Sequence, residues 1–150
     1  MTPSEMWGFI GWGYLLTITL ETPVLLAALA RRHPVSRRLI AGLWLTACSY
    51  PIVVIVLPIL MAGQSRMTYL TVAEIFAPLS ECLIFFFAFP PDPERDRPLR
   101  AWPAGAGVTP IKERDPRAGT YWQDGAAIVA ANLLSFLFGE FARAAGWMNW

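Results

Sequence analysis

Four glutamates, Glu21, Glu74, Glu81 and Glu140, lie within or at the edge of long apolar stretches that hold no Lys or Arg deep inside them. A charged group at the centre of a membrane helix costs about 2.5–3.5 kcal/mol or more. Carboxylates placed there without a basic partner can bind a cation, hold or relay a proton, or divide acid and base roles between them. A protonated glutamate can also simply hydrogen-bond two helices together.

Depth follows from a helical rise of roughly 1.5 Å per residue. Glu21 then lies about 15 Å from Arg31, Glu81 about 13 Å from Pro90, Tyr50 about 18 Å from Arg38 and Asn132 about 12 Å from Asp124. These four fall near one central layer. Glu74 and Glu140 fall in an outer layer, about 24 Å above the inner boundary by the same count. Glu74, Pro78 and Glu81 share one helix face at i, i+4, i+7, as do Thr17 with Glu21, and Thr46 with Ser49 and Tyr50. If these faces meet, Glu21 and Glu81 gain hydroxyl and amide partners. Burial disfavours the charged form of a carboxyl. Glu81 and Glu21 are therefore expected to be protonated at rest or to share a proton or cation. Glu140 has Arg143 at i+3 as a surface partner.

Pro23, Pro51, Pro58 and Pro78 fall in the apolar stretches, and proline-kinked helices are expected. Each proline leaves a carbonyl four residues earlier without its usual donor; for Pro78 that is Glu74, for Pro51 Ala47. Free carbonyls beside carboxylates recur at ion sites of transporters. Membrane helices also tolerate proline where neighbours re-satisfy the backbone.

Ala127, Ala131, Ser135 and Gly139 recur at every fourth position, and small residues at that spacing let helix backbones approach closely. The stripe serves packing inside a bundle or an interface with another chain. The Gly8, Gly11 and Gly13 run carries no phosphate-binding meaning, because no strand precedes it. His33 reads as an ordinary loop histidine. Cys48 and Cys82 read as small packing residues without metal-ligand spacing. The sequence holds no His-rich, Cys-pair, Walker-type or Ser–His–Asp pattern, and no cofactor is expected.

The elements that must position these groups are membrane helices. Of 150 residues, 55% are hydrophobic and only 15% charged, against about a quarter charged in soluble domains. A helix needs roughly 20 apolar residues to cross the hydrocarbon core. Four stretches qualify, at about 6–30, 39–61, 69–89 and 124–141, the last being the shortest. The first lacks a basic leader and a cleavage pattern, so it is expected to be a retained helix and not a signal peptide. The fold class is thus an all-α membrane protein, a four-transmembrane-helix bundle forming a single membrane domain over 1–150.

The connection between the first two stretches holds Arg31, Arg32, Arg37 and Arg38. The 90–120 segment holds Arg95, Arg97, Arg100, Lys112, Arg114 and Arg117. Together they carry ten of the 12 basic residues. Cytoplasmic loops carry the excess of Lys and Arg, so both loops are expected inside and both termini outside. Trp7, Trp12, Tyr69, Trp147 and Trp150 would mark the outer surface, and Trp44, Tyr121 and Trp122 the inner one. The 90–120 loop, rich in Pro and mixed charge, reads as a flexible cytoplasmic linker or a docking segment. The first and third stretches each pair a Glu with a nearby Pro, a hint of a two-plus-two arrangement.

A formal net charge of +1 argues against nucleic-acid binding. The leading expectation is a small protein of a bacterial-type inner membrane that binds or passes a proton or small cation. Glu81 and Glu21 form its centre, Asn132, Tyr50 and Ser49 are polar partners, and Glu74 is an outer entry position. The alternative is a structural or assembly subunit of a larger membrane complex, with other subunits or a second copy as partners. An intramembrane enzyme using paired carboxylates ranks third, because no nucleophile or phosphate site accompanies them.

Overall fold

The computed structural model describes residues 3–90 and 121–147. Nearly all of the expected charged loop, and Trp150, lie outside the described residues, as does the side chain of Trp7. Every regular element among the described residues is a helix. Helix α1 spans Pro3–Ala28, α2 Val35–Leu60, α3 Arg66–Ala88 and α4 Tyr121–Ala144. Among the described residues four helices, counting Ile10–Ala28 of α1, are long and apolar enough to cross a membrane. The fourth runs to 24 residues and is not the shortest. It gains a turn at Tyr121, because Asp124, expected as its boundary, is buried and bonded within its first turn.

The helix ends follow local chemistry. Ser65 caps α3 by accepting the Thr68 N–H at 3.1 Å, as short hydroxyl side chains do. Gly146 takes φ +73° after α4, and a glycine pays no Cβ penalty there. The Trp147 N–H then reaches the Ala142 carbonyl at 2.9 Å and the Gly146 N–H the Arg143 carbonyl at 3.1 Å. These two bonds close the last turn in a Schellman arrangement, and Trp147 packs edge-on against Phe141.

Helix α2 carries a π-helical turn, Ile52–Val56, between Pro51 and Pro58. Within it the Leu57 N–H bonds the Ile52 carbonyl, five residues back. The next donor in that pattern is Pro58, which has no N–H. The carbonyl it leaves is Val53, not the Val54 that α-helical counting gives. The Tyr69 hydroxyl of α3 donates to that carbonyl at 3.0 Å.

The helices form a ring in chain order: α1 packs on α2 and α4, and α3 packs on the same two from the opposite side. Gly42 sets the α1–α2 approach, since a Cβ there would lie 3.0 Å from the Thr22 Cα. Gly13 leaves the space that the Tyr50 hydroxyl fills. Leu25, Leu29, Ala41, Leu45, Phe85, Ala127, Ile128 and Ala131 pack into one apolar core. By chain position this core lies at the end of the ring near the α1–α2 connection. Large apolar side chains also face outward along the helices, among them Leu79, Leu83, Phe87 and Leu137. Such a surface suits hydrocarbon, where helices satisfy their backbone internally.

Candidate functional site

Beyond the apolar core the ring interior turns polar. Glu21 and Glu81 are each only 2% exposed, and they enter from the opposite helices α1 and α3. Each carboxylate bridges α2 and α4. Glu21 Oε2 accepts from the Thr46 hydroxyl at 2.8 Å and Oε1 from the Ser135 hydroxyl at 2.6 Å. Glu81 Oε1 accepts from the Ser49 hydroxyl at 2.5 Å and Oε2 from the Asn132 amide at 2.8 Å.

The partners are ordered. On α2 the earlier residue, Thr46, serves the carboxylate of the preceding helix, and Ser49, one turn on, serves the opposite one. On α4 the earlier residue, Asn132, again serves the preceding helix, and Ser135 the opposite one. Spacing of three residues places both members of each pair on one face. Thr46 also donates to the Gly42 carbonyl at 3.0 Å and Asn132 to the Ile128 carbonyl at 3.0 Å, each four residues back.

These groups line a cavity of about 160 Å³ together with Thr17, Tyr50, Val53, Val54, Glu74, Ala77 and Phe136. By chain position the cavity extends from the carboxylates toward the α2–α3 turn, away from the apolar core. Its Val54 wall also borders a second cavity of about 550 Å³ beside Pro58, Gly63, Arg66 and Tyr69. Among the described residues no Lys, Arg or His lines the carboxylate cavity. Among the described residues no three His, Cys, Asp or Glu side chains converge as a metal site.

The sequence-derived candidates divide as follows. Glu21, Glu81, Ser49 and Asn132 meet as one bonded unit. Glu74 and Tyr50 line the same cavity without bonding either carboxylate; the Tyr50 ring is tilted against Tyr14 at 5.6 Å. Glu140 stands apart, paired with Arg66 and, at 3.0 Å, with Arg143. Ala127 and Ala131 belong to the apolar core, so this part of the small-residue stripe faces the bundle interior. Ser135 acts as a donor to Glu21 as well as a small packing residue. At Gly139 a Cβ would meet nothing within 4 Å, so no close helix approach occurs there among the described residues. Thr46 was legible only as a face-mate of Ser49.

Sequence reasoning missed a second polar cluster at the other end. Asp124 is fully buried, and accepts from the Ala30 N–H at 2.8 Å and from the Arg32 guanidinium. His33 is 5% exposed, with Nε2 3.1 Å from Asp124 and Nδ1 3.4 Å from Arg37. Arg38 donates to the His33 carbonyl at 3.0 Å and to the Leu26 carbonyl at 3.1 Å, which satisfies one of the carbonyls in the last turn of α1. An acidic group in the first turn of α4 also suits the helix dipole. The signal was a lone histidine among four arginines, but its partner lies far along the chain, beyond the reach of periodicity.

Fold and site together define a class: a multi-pass, all-helical membrane protein with two buried carboxylates bridging its helices. No family model, no curated protein and no solved structure matches the chain.

Proposed function

We propose that this protein binds or passes a proton or small cation at the Glu21–Glu81 pair. The observation that carries the reading is that two carboxylates from opposite helices are buried around one cavity that no basic side chain lines among the described residues. Interhelical glue alone needs neither a paired carboxylate nor a cavity, because a buried amide serves as well. Glu74, on the cavity wall toward the α2–α3 turn, is the entry position. Both termini lie outside the cytoplasm and both basic loops inside, in the plasma membrane of a bacterial-type cell. Prolines at 23, 51, 58 and 78 bend the helices around the cavity.

The test is flux in liposomes holding the full chain, read with a pH-sensitive dye and with sodium- and potassium-sensitive dyes. Glu21→Gln and Glu81→Gln are expected to abolish the ion movement seen with the wild type. A flux unchanged by both substitutions removes the assignment.

A second reading, a subunit of a larger membrane assembly, draws on an outward apolar groove lined by Trp44, Leu83, Ile84, Phe87 and Ala88. Native mass spectrometry of gently extracted protein separates the two. A different polypeptide present in fixed ratio favours the subunit.

A further inference from the structure

We propose that the species exchanged at this site is a proton, which rests on Glu21 while Glu81 stays the anionic member of the pair. This inference rests on the reading of the pair as a proton or cation site. It stands on the number of hydrogens that the surrounding groups can supply and redirect.

A hydroxyl has one hydrogen to donate and lone pairs to accept with. Thr46 faces two acceptors, Glu21 Oε2 at 2.8 Å and the Gly42 carbonyl at 3.0 Å. Ser135 likewise faces Glu21 Oε1 at 2.6 Å and the Asn132 carbonyl at 2.9 Å. When Glu21 is ionised, both hydroxyl hydrogens point at it. When Glu21 carries a proton on Oε2, that proton points at Thr46 Oγ1, and the Thr46 hydrogen turns to the Gly42 carbonyl. The same exchange is open on Oε1 through Ser135 and the Asn132 carbonyl. Neither requires a heavy atom to move.

Glu81 lacks this freedom. Its Oε2 faces the Asn132 amide nitrogen, which carries two hydrogens and cannot accept. The Ile128 carbonyl, an obligate acceptor 3.0 Å from the same nitrogen, holds the amide in that orientation. Both amide hydrogens are in use, so a proton on the Oε2 lone pair that faces Asn132 would meet another hydrogen. On the Oε1 side Ser49 bonds only Glu81 among the described residues, so its hydrogen has no second protein acceptor to turn to. The two halves of the site are alike in geometry and differ in two respects: a hydroxyl in α2 stands against an amide in α4, and Ser135 has a second acceptor that Ser49 lacks among the described residues.

The same count separates a proton from a metal cation. Hard cations are held by converging oxygen lone pairs. Here all four carboxylate oxygens face N–H or O–H donors. A cation taking those same lone pairs would have to turn several of the donors away, whereas a proton redirects one hydroxyl hydrogen. Among the described residues the other ionisable groups on the cavity wall are Tyr50 of α2 and Glu74 of α3; α1 and α4 add none beyond Glu21. The step is a proton transfer alone. A hydronium ion gives its proton to Glu21 and leaves water, one O–H bond forming as another breaks.

Infrared spectroscopy of the full chain in lipid nanodiscs at neutral pH tests this, in sodium, potassium and N-methylglucamine chloride. One protonated-carboxyl band is expected, equal in the three media, lost in Glu21→Gln and retained in Glu81→Gln. Thr46→Val is expected to shift the band. A band lost in Glu81→Gln and kept in Glu21→Gln overturns the assignment to Glu21. A wild-type band that disappears on adding sodium or potassium overturns the proton, and leaves the broader cation-site reading standing. Two ionised carboxylates with no dependence on either cation overturn both. The salt comparison uses wild-type protein, so it does not depend on a variant folding.

Discussion

Thr46 and Asn132 hold equivalent places in the two halves of the bundle. Each bonds the carboxylate carried by the helix before it, and each also bonds the carbonyl four residues back on its own helix. The halves thereby share one bonding scheme while differing in the chemistry of this partner, hydroxyl against amide. That difference contributes to the unequal capacity of the two carboxylates to hold a proton.

Replacing the amide with a hydroxyl should give Glu81 the freedom that Thr46 gives Glu21. In Asn132→Thr, Glu81 gains a partner that can accept as well as donate. A protonated-carboxyl band is then expected to survive Glu21→Gln, which removes it in the otherwise wild-type chain. The stability cost should be small, about 1 kcal/mol, as for typical interhelical polar bonds in membranes. Infrared difference spectra of the single and double variants decide the point.

Gly42 and Gly139 should respond oppositely to alanine. A Cβ at Gly42 would meet Thr22 Oγ1 at 2.7 Å and Thr22 Cα at 3.0 Å. Because one contact is backbone, α1 and α2 must part, at a cost of about 1–3 kcal/mol. At Gly139 the space is open, and alanine is favoured over glycine inside a helix by about 0.5–1 kcal/mol. Unfolding in mixed micelles should show the first variant less stable and the second equal to or above wild type.

Asp124→Ala should destabilise the protein without touching the carboxylate cavity. It leaves Arg32, His33 and the Ala30 N–H without their shared acceptor. Removing one partner of a buried ion pair costs about 3–5 kcal/mol. Thermal unfolding should fall accordingly. The protonated-carboxyl band, measured well below that transition, should keep its position; a moved band would mean that the two polar clusters are coupled.

Phe85→Ala should loosen the apolar core between the cavity and the α1–α2 connection. Phe85 is 1% exposed, packs with Leu25, Leu45 and Ile128, and stacks edge-on against His33 at 5.4 Å. Truncation of a buried Phe costs about 3–5 kcal/mol. In liposomes the variant is expected to pass protons faster than the wild type. Flux equal to wild type would show that this core is not the barrier on that side.

The sequence by itself determined the four helices and the level of the carboxylates within them. Both follow from quantities local to the chain: the length of each apolar run, the constant rise of a helix and the periodicity that puts Ser49 beside Thr46. It also showed that Glu21 and Glu81 would lack a basic partner on their own helices. The tertiary structure alone decided which groups meet. Ser135 looked like a packing residue because its size and spacing match the alanines of its stripe, and only the ring places its hydroxyl on Glu21. His33 and Asp124 looked unrelated because they stand on separate elements, joined where α4 packs beside the end of α1. The π-helical turn moved a free carbonyl from Val54 to Val53, since one added residue in a turn shifts every backbone partner by one. Hydrogen-bond partnership depends on separations of about 3 Å between elements. Periodicity sets faces and depths, but those separations come only from how the four helices pack.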